Sequence, residues 1–218
     1  MAAALAMKLE PVTITTFPAK LSEGGINDFY SNGDYWWPNP KKPNGLPYIK
    51  KDGETNPENF GQHRLALKAL RDGVAALAAA YKLTGDERYV TKATELLKVF
   101  FLDAKTRMNP NLQYAQAIPG VSPGRGIGII DALHLIEIPM AVKTLENSKS
   151  FPKESGAELR LWFGKLANWM VDSKNGKEEA AANLIGKEYG KTGEDVNATI
   201  AALRAKDGFG LDLTSGQQ

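Results

Sequence analysis

The chain has 218 residues, enough for one sizeable domain or two small ones. Its 27 Lys and Arg against 25 Asp and Glu leave a net charge of +2. That balance argues against nucleic acid as the main partner but leaves room for a local cationic cleft. The absence of cysteine excludes disulfides, thiolate metal sites and cysteine nucleophiles, and two histidines, His63 and His134, cannot build a His-rich metal site.

Hydrophobic residues make up 43% of the chain and charged residues 24%, ordinary values for a soluble globular protein. No apolar run reaches spanning length, so no membrane partner is expected. No cofactor or metal is expected, and the sequence does not fix an oligomeric state. Met1 to Met7 is apolar and Ala-rich, but it lacks a basic flank and is short for a complete signal peptide.

Residues 8 to 57 read as extended and loop-rich. Val12-Thr13-Ile14-Thr15-Thr16 favours a strand or an extended arm. In Asp34-Tyr35-Trp36-Trp37-Pro38-Asn39-Pro40, two adjacent tryptophans followed by prolines suggest a rigid aromatic ledge, suited to stacking on the apolar faces of sugar rings. The plainer alternative is that the indoles cap a helical core, since Trp buries a large area. Asn56-Pro57 resembles a helix start, with Asn as cap and Pro at the first helical position.

A first helix is expected to run from there to about Leu83, with Leu67, Leu70, Val74 and Leu77 at helical spacing. Thr84-Gly85-Asp86 ends it and caps a second helix, to about Leu102, so the two are antiparallel neighbours. A third pattern covers Ile129 to Leu145, where Pro139 predicts a kink. A fourth covers about Glu154 to Ser173, and Asn175-Gly176 is read as its stop. Beyond Lys177 the signal weakens: Glu178 to Ala182 and Asp195 to Ala205 can be helical, but glycines interrupt. Consecutive α-hairpins with long loops predict an all-α fold, part of an (α/α) toroid, with a loop-rich N-terminal arm.

The stretch from Arg107 to Asp131 is too rich in Pro and Gly for a helix interior, although helical patterns flank it. It gathers Asn109, Asn111, Gln113, Tyr114, Gln116 and Arg125, all able to hydrogen-bond. Either this is an ordered loop lining a polar cleft, or its amides only satisfy its own backbone.

Four segments, taken together, resemble the alginate lyase family of polysaccharide lyases: Asp34 to Pro40; Asp52 to Phe60 with His63-Arg64; Met108 to Leu112 with Tyr114 to Gly120; and Gly124-Arg125-Gly126 to Asp131. They occur in the family's order, over roughly residues 24 to 181. The resemblance implies an incomplete (α/α) toroid, β-elimination on a uronic-acid polysaccharide such as alginate or glucuronan, and a periplasmic or secreted location. It divides the chain into an arm (1–23), a lyase-like portion (24–182) and a divergent tail (183–218). In the family, a segment like Ser173 to Ala181 leads into an Asn-His stretch. Here the chain reads Asn183-Leu184-Ile185-Gly186, and no histidine follows His134.

Elimination must neutralise the C6 carboxylate, remove the C5 proton and protonate the leaving O4. Tyr114 is the candidate acid or base, with Arg125 as the cation beside it or as a fork onto the substrate carboxylate. His63 is a second base candidate, set against a role holding the first helix to the loop. His134, on an apolar stretch, reads as structural. Arg64, Asn109, Asn111 and Gln116 are candidate substrate-binding groups, and Tyr35, Trp36 and Trp37 candidate stacking groups. Two other classes compete. A glycosidase could pair Asp131 with Glu137, but six positions on a helix share no face. A non-catalytic or vestigial acidic-sugar-binding module would fit the missing Asn-His segment.

Overall fold

A computed structural model of the chain describes residues 2–188, with side chains through residue 182. In chain order the elements are α1 (Ala2–Ala6), β1 (Tyr30–Asn32), β2 (Trp36–Trp37), β3 (Ile49–Lys50), α2 (Gln62–Thr84), α3 (Glu87–Leu97), β4 (Tyr114–Ala117), α4 (Glu137–Leu145), α5 (Lys153–Asp172) and α6 (Lys174–Glu188). The described residues are mostly helical, with two small two-stranded sheets among them. None of the described helices is long and apolar enough to cross a membrane.

The apolar stripe of α2 buries Leu67, Leu70, Val74 and Leu77 against α3 and α4. Gly85, left-handed at φ 67°, closes α2, and Asp86 caps α3 by accepting from the Arg88 N–H. These two residues make the antiparallel hairpin that the sequence predicts. A π-helical turn, Lys98–Leu102, continues α3 and buries Phe100 and Phe101. Phe101 meets Trp162 and Phe163 of α5, with ring centroids 4.5 and 5.4 Å away. This aromatic contact joins the α2–α3 layer to α5.

Several boundaries differ from expectation. Asn56 does not start a helix. Its side chain accepts from the Glu58 N–H and donates to the Trp36 carbonyl, forming a local turn, and α2 begins only at Gln62. Pro139 does not kink a long helix. The chain runs as a 3₁₀ helix over Gly126–Leu135, and Pro139 falls in the first turn of α4, where no backbone donor is needed. Asn175-Gly176 does not stop the helical run either: α5 ends at Asp172 and α6 restarts at Lys174. Asn175 is buried and donates to the Gln113 carbonyl at 3.3 Å, tying α6 to the long loop.

Within Val12 to Thr16 the chain forms a short 3₁₀ turn, Ile14–Thr16, rather than a strand, with Thr13 as its cap. Ile14 is fully buried in the core, and the Thr13 hydroxyl donates to the Thr106 carbonyl at 2.6 Å. The backbone of residues 183–188 continues α6. The rest of the expected tail, including Asp195 to Ala205, lies outside the described residues.

Candidate active site

The predicted loop contains a strand. β4 pairs in parallel with β1, Tyr114 opposite Tyr30 and Ala117 opposite Asn32, with an irregularity between. At that irregularity Gln116 takes φ 54°, the left-handed region that costs a non-glycine residue about 1–2 kcal/mol. Its surroundings hold it there. The Gln116 N–H donates to Ser31 Oγ at 2.9 Å, and Ser31 Oγ donates to Asp131 Oδ2 at 2.7 Å. On the other side, Arg125 Nε donates to the Gln116 carbonyl at 2.7 Å and Nη2 to its Oε1 at 3.2 Å. Strain of this kind, over-determined by its neighbours, is the sort that collects at ligand sites.

Arg125 is the cation of this arrangement. It is half-buried, and among the described residues no carboxylate lies within ion-pairing distance of it. Burial pulls its pKa below the ordinary arginine value, opposed by the charge of Asp34. Trp36 shares its surroundings: a Cβ placed on Gly33 would lie 2.7 Å from both Arg125 Nη2 and Trp36 Cδ1. The Tyr114 ring is half-buried against Gly24, and its hydroxyl has no hydrogen-bond partner among the described residues.

Arg64 is used differently. Its Nε donates to Asp131 Oδ1 at 2.9 Å, Nη1 to Asp34 Oδ1 at 2.8 Å and Nη2 to the Asn32 carbonyl at 3.2 Å. Burial works against its charge, but Asp131 and Asp34 more than offset that and raise its pKa. This candidate substrate-binding group is therefore hydrogen-bonded within the protein.

His63 is likewise engaged inside the fold. It is 2% exposed, accepts from the Tyr30 N–H at Nδ1 (2.9 Å) and donates from Nε2 to the Phe17 carbonyl (2.9 Å). Both nitrogens are occupied in the neutral tautomer. Burial lowers its pKa, with the Phe17 and Ile14 carbonyls opposing. It holds α2 to β1 and to the N-terminal arm and has no nitrogen free to act as a base.

Asn109 donates to Asp28 Oδ1 at 2.7 Å, tying the loop to the segment before β1, and Asn111 Oδ1 accepts from the Gln113 N–H at 3.1 Å within the loop itself. The ledge of Trp36 and Trp37 is not one surface. Both sit in β2, where successive side chains point to opposite faces. Trp37 Nε1 donates to the Glu54 carbonyl at 3.0 Å, and Lys51 Nζ lies 4.3 Å from its ring centroid. Tyr35 is exposed.

Sequence reasoning missed Ser31 and Asp34 as parts of the site, and used Asp131 only as a glycosidase candidate. Asp131 had a signal: one carboxylate inside Ile129-Ile130-Asp131-Ala132-Leu133 must be paired if buried, and it is 5% exposed. Ser31 had none. His134, read as structural, lines a cleft of about 540 Å³ with Asn59, Gln62, Arg64 and Lys68. Its Nδ1 accepts from Arg71 Nη1 at 3.2 Å, which leaves its proton on Nε2. Burial and then Arg71 lower its pKa.

The Alginate lyase family model matches residues 14–185. The chain belongs to the alginate lyase family. Its structure is similar to the crystal structure of an alginate lyase from Bacteroides ovatus, with a TM-score of 0.81 and 38% identity over 95% of this chain. The match covers 54% of the other chain, so this chain spans about half the length of that lyase. No curated protein matches the chain. The β1–β4 junction, with Gln116, Asp131 and Arg125, thus lies within the family match.

Proposed function

We propose that this chain carries the carboxylate-binding part of a polysaccharide lyase that performs β-elimination on a uronic-acid polysaccharide such as alginate or glucuronan. We also read its helices as part of an incomplete (α/α) toroid. The observation that carries the function is Arg125: a half-buried guanidinium, aimed by Gln116 and lacking a carboxylate partner among the described residues. A substrate C6 carboxylate would supply that partner, and neutralising it stabilises the charge that develops when the C5 proton leaves. Trp36, beside Arg125, offers its indole to the same sugar.

The C5–H bond breaks towards a base, the C4–C5 double bond forms, and the C4–O4 bond breaks with a proton delivered to O4. Tyr114 is the group proposed to exchange that proton, since its hydroxyl is unengaged among the described residues. A second reading, an acidic-saccharide-binding module without turnover, is supported by the two histidines. His63 has no free nitrogen, and the open nitrogen of His134 carries a proton. A missing general base costs on the order of 10²–10⁴-fold in rate.

Ultraviolet absorbance of the unsaturated uronate product, measured over a panel of polyuronates, separates the two. We expect the 218-residue chain to bind these polymers and to turn them over slowly at most. Robust cleavage abolished by Tyr114→Phe would make Tyr114 part of a self-sufficient site. Failure to bind any polyuronate would sink both readings.

A further inference from the structure

On α5, Leu161 and Trp162 lie three and four residues after Glu158 and four and three before Lys165, so the four share one face of the helix. That face closes a cavity of about 230 Å³ against the loop from Arg107 to Pro110 and the π-helical turn. The floor is fixed: Trp162 Nε1 donates to the Met108 carbonyl at 2.8 Å, and the Met108 N–H donates to the Phe100 carbonyl at 2.8 Å. The rim is not. Arg107, Lys165 and Glu158 are exposed, and no ion pair among the described residues joins any two of them or uses their side chains otherwise. Leu161, 60% exposed, adds an apolar patch at the same mouth. π-helical turns, which interrupt regular hydrogen bonding at some cost, recur at functional sites.

We propose that this cavity is a second saccharide site, separate from Arg125, that takes one uronate unit of an acidic polysaccharide. The volume lies below the roughly 300–1,000 Å³ of pockets that enclose drug-sized ligands, and suits a single sugar ring. Arg107 and Lys165 bind the carboxylate. Glu158 accepts sugar hydroxyls and disfavours a multiply charged phosphate. Leu161 packs on the apolar face of the ring. The sugar class rests on the polyuronate reading above, whereas the cavity and its charges do not depend on it.

The indole N–H groups of the four tryptophans give separate nuclear magnetic resonance signals, so each site has its own reporter. The chain, labelled on tryptophan nitrogen, is titrated with a purified oligouronate and, separately, with inorganic phosphate. We expect the oligouronate to shift both Trp36 and Trp162. Lys165→Ala or Arg107→Ala should remove the Trp162 response, or weaken it at least about tenfold, and leave that of Trp36 intact. Both side chains are exposed, so folding is not at stake. A shift at Trp36 alone overturns this proposal and leaves the main site standing. A shift at Trp162 alone would sink the Arg125 reading and keep this one. No shift at either overturns both. An equal Trp162 response to phosphate overturns the choice of a sugar.

Discussion

Arg64 and Arg125 are both partly buried guanidiniums anchored on the same strand pair, one on Asn32 of β1 and the other on Gln116 of β4. Arg64 meets two carboxylates and Arg125 meets none among the described residues. Around Arg64 the chemistry is closed: Arg64 donates to Asp131 and Asp34, Ser31 donates to Asp131, and His63 nearby has both nitrogens filled. Around Arg125 it is open, because its donors are fixed by a carbonyl and an amide that do not cancel its charge. A closed charge cluster specifies structure. An open cation in a prepared geometry waits for an anion. Two arginines from one family's motifs therefore have different uses, and the partners of each decide which.

The largest expected effect breaks the closed side. Asp131→Ala leaves Arg64 short of one carboxylate and Ser31 without its acceptor. Breaking a fully buried pair costs about 3–5 kcal/mol, but Arg64 keeps Asp34 and some solvent, so about 2–3 kcal/mol is expected. Urea unfolding measures it, and a loss under about 0.5 kcal/mol would mean that the cluster does not hold β1 and α2 together.

Arg125→Ala tests the open side. It removes two hydrogen bonds to Gln116 and also a desolvated charge, so stability should fall by about 1 kcal/mol or less. Affinity for an oligouronate should drop by roughly 30-fold, the share of a charge-assisted contact of about 2 kcal/mol. Titration calorimetry beside unfolding gives both numbers. The reverse pattern, a large stability loss with unchanged affinity, would make Arg125 a second structural arginine.

A third expectation concerns pH. The pKa values of His63 and His134 are lowered in the folded chain, first by burial in each case. The unfolded chain therefore takes up these protons first. This contribution is fully present above about pH 6.5 and is lost as pH falls from there towards the folded values. Each histidine adds a slope of at most about 1.4 kcal/mol per pH unit. Unfolding free energies between about pH 5.5 and 7.5 should slope upward with pH, and His134→Gln should leave the His63 part in place. A flat profile would argue that neither ring is held neutral.

The helices α2, α3 and α5 were legible because apolar spacing and the Gly85-Asp86 signal report local physics directly. The motifs around Trp36, Tyr114 and Arg125 were legible as a group. What each side chain does was not, because that depends on partners distant in sequence: Arg64 on Asp131, His63 on Tyr30 and Phe17, Gln116 on Ser31. The π-helical turn and the left-handed Gln116 leave no local composition signal, since both are imposed by tertiary contacts. Pro139 misled because proline forbids a helix interior yet suits a first turn, and the change to a 3₁₀ helix before Ile136 is not written in the spacing.

The smallest expected effect sharpens the contrast at Trp37. Lys51 places its ammonium 4.3 Å from the centre of that indole, and an exposed cation–π contact is worth about 0.5–1 kcal/mol. Lys51 also lies 3.9 Å from Glu54, an exposed pair that adds little. Lys51→Ala should therefore cost about 0.5 kcal/mol or less in unfolding. Its effect on binding is the more informative number, because the ammonium covers a ring face that a sugar would need. If Trp37 is a structural indole, held by its bond to the Glu54 carbonyl, oligouronate affinity stays the same or falls slightly with the lost positive charge. If Trp37 stacks on sugar, uncovering the ring raises affinity despite that loss. A rise would extend the open region from Trp36 to Trp37, and no rise would leave Trp37 with the closed one.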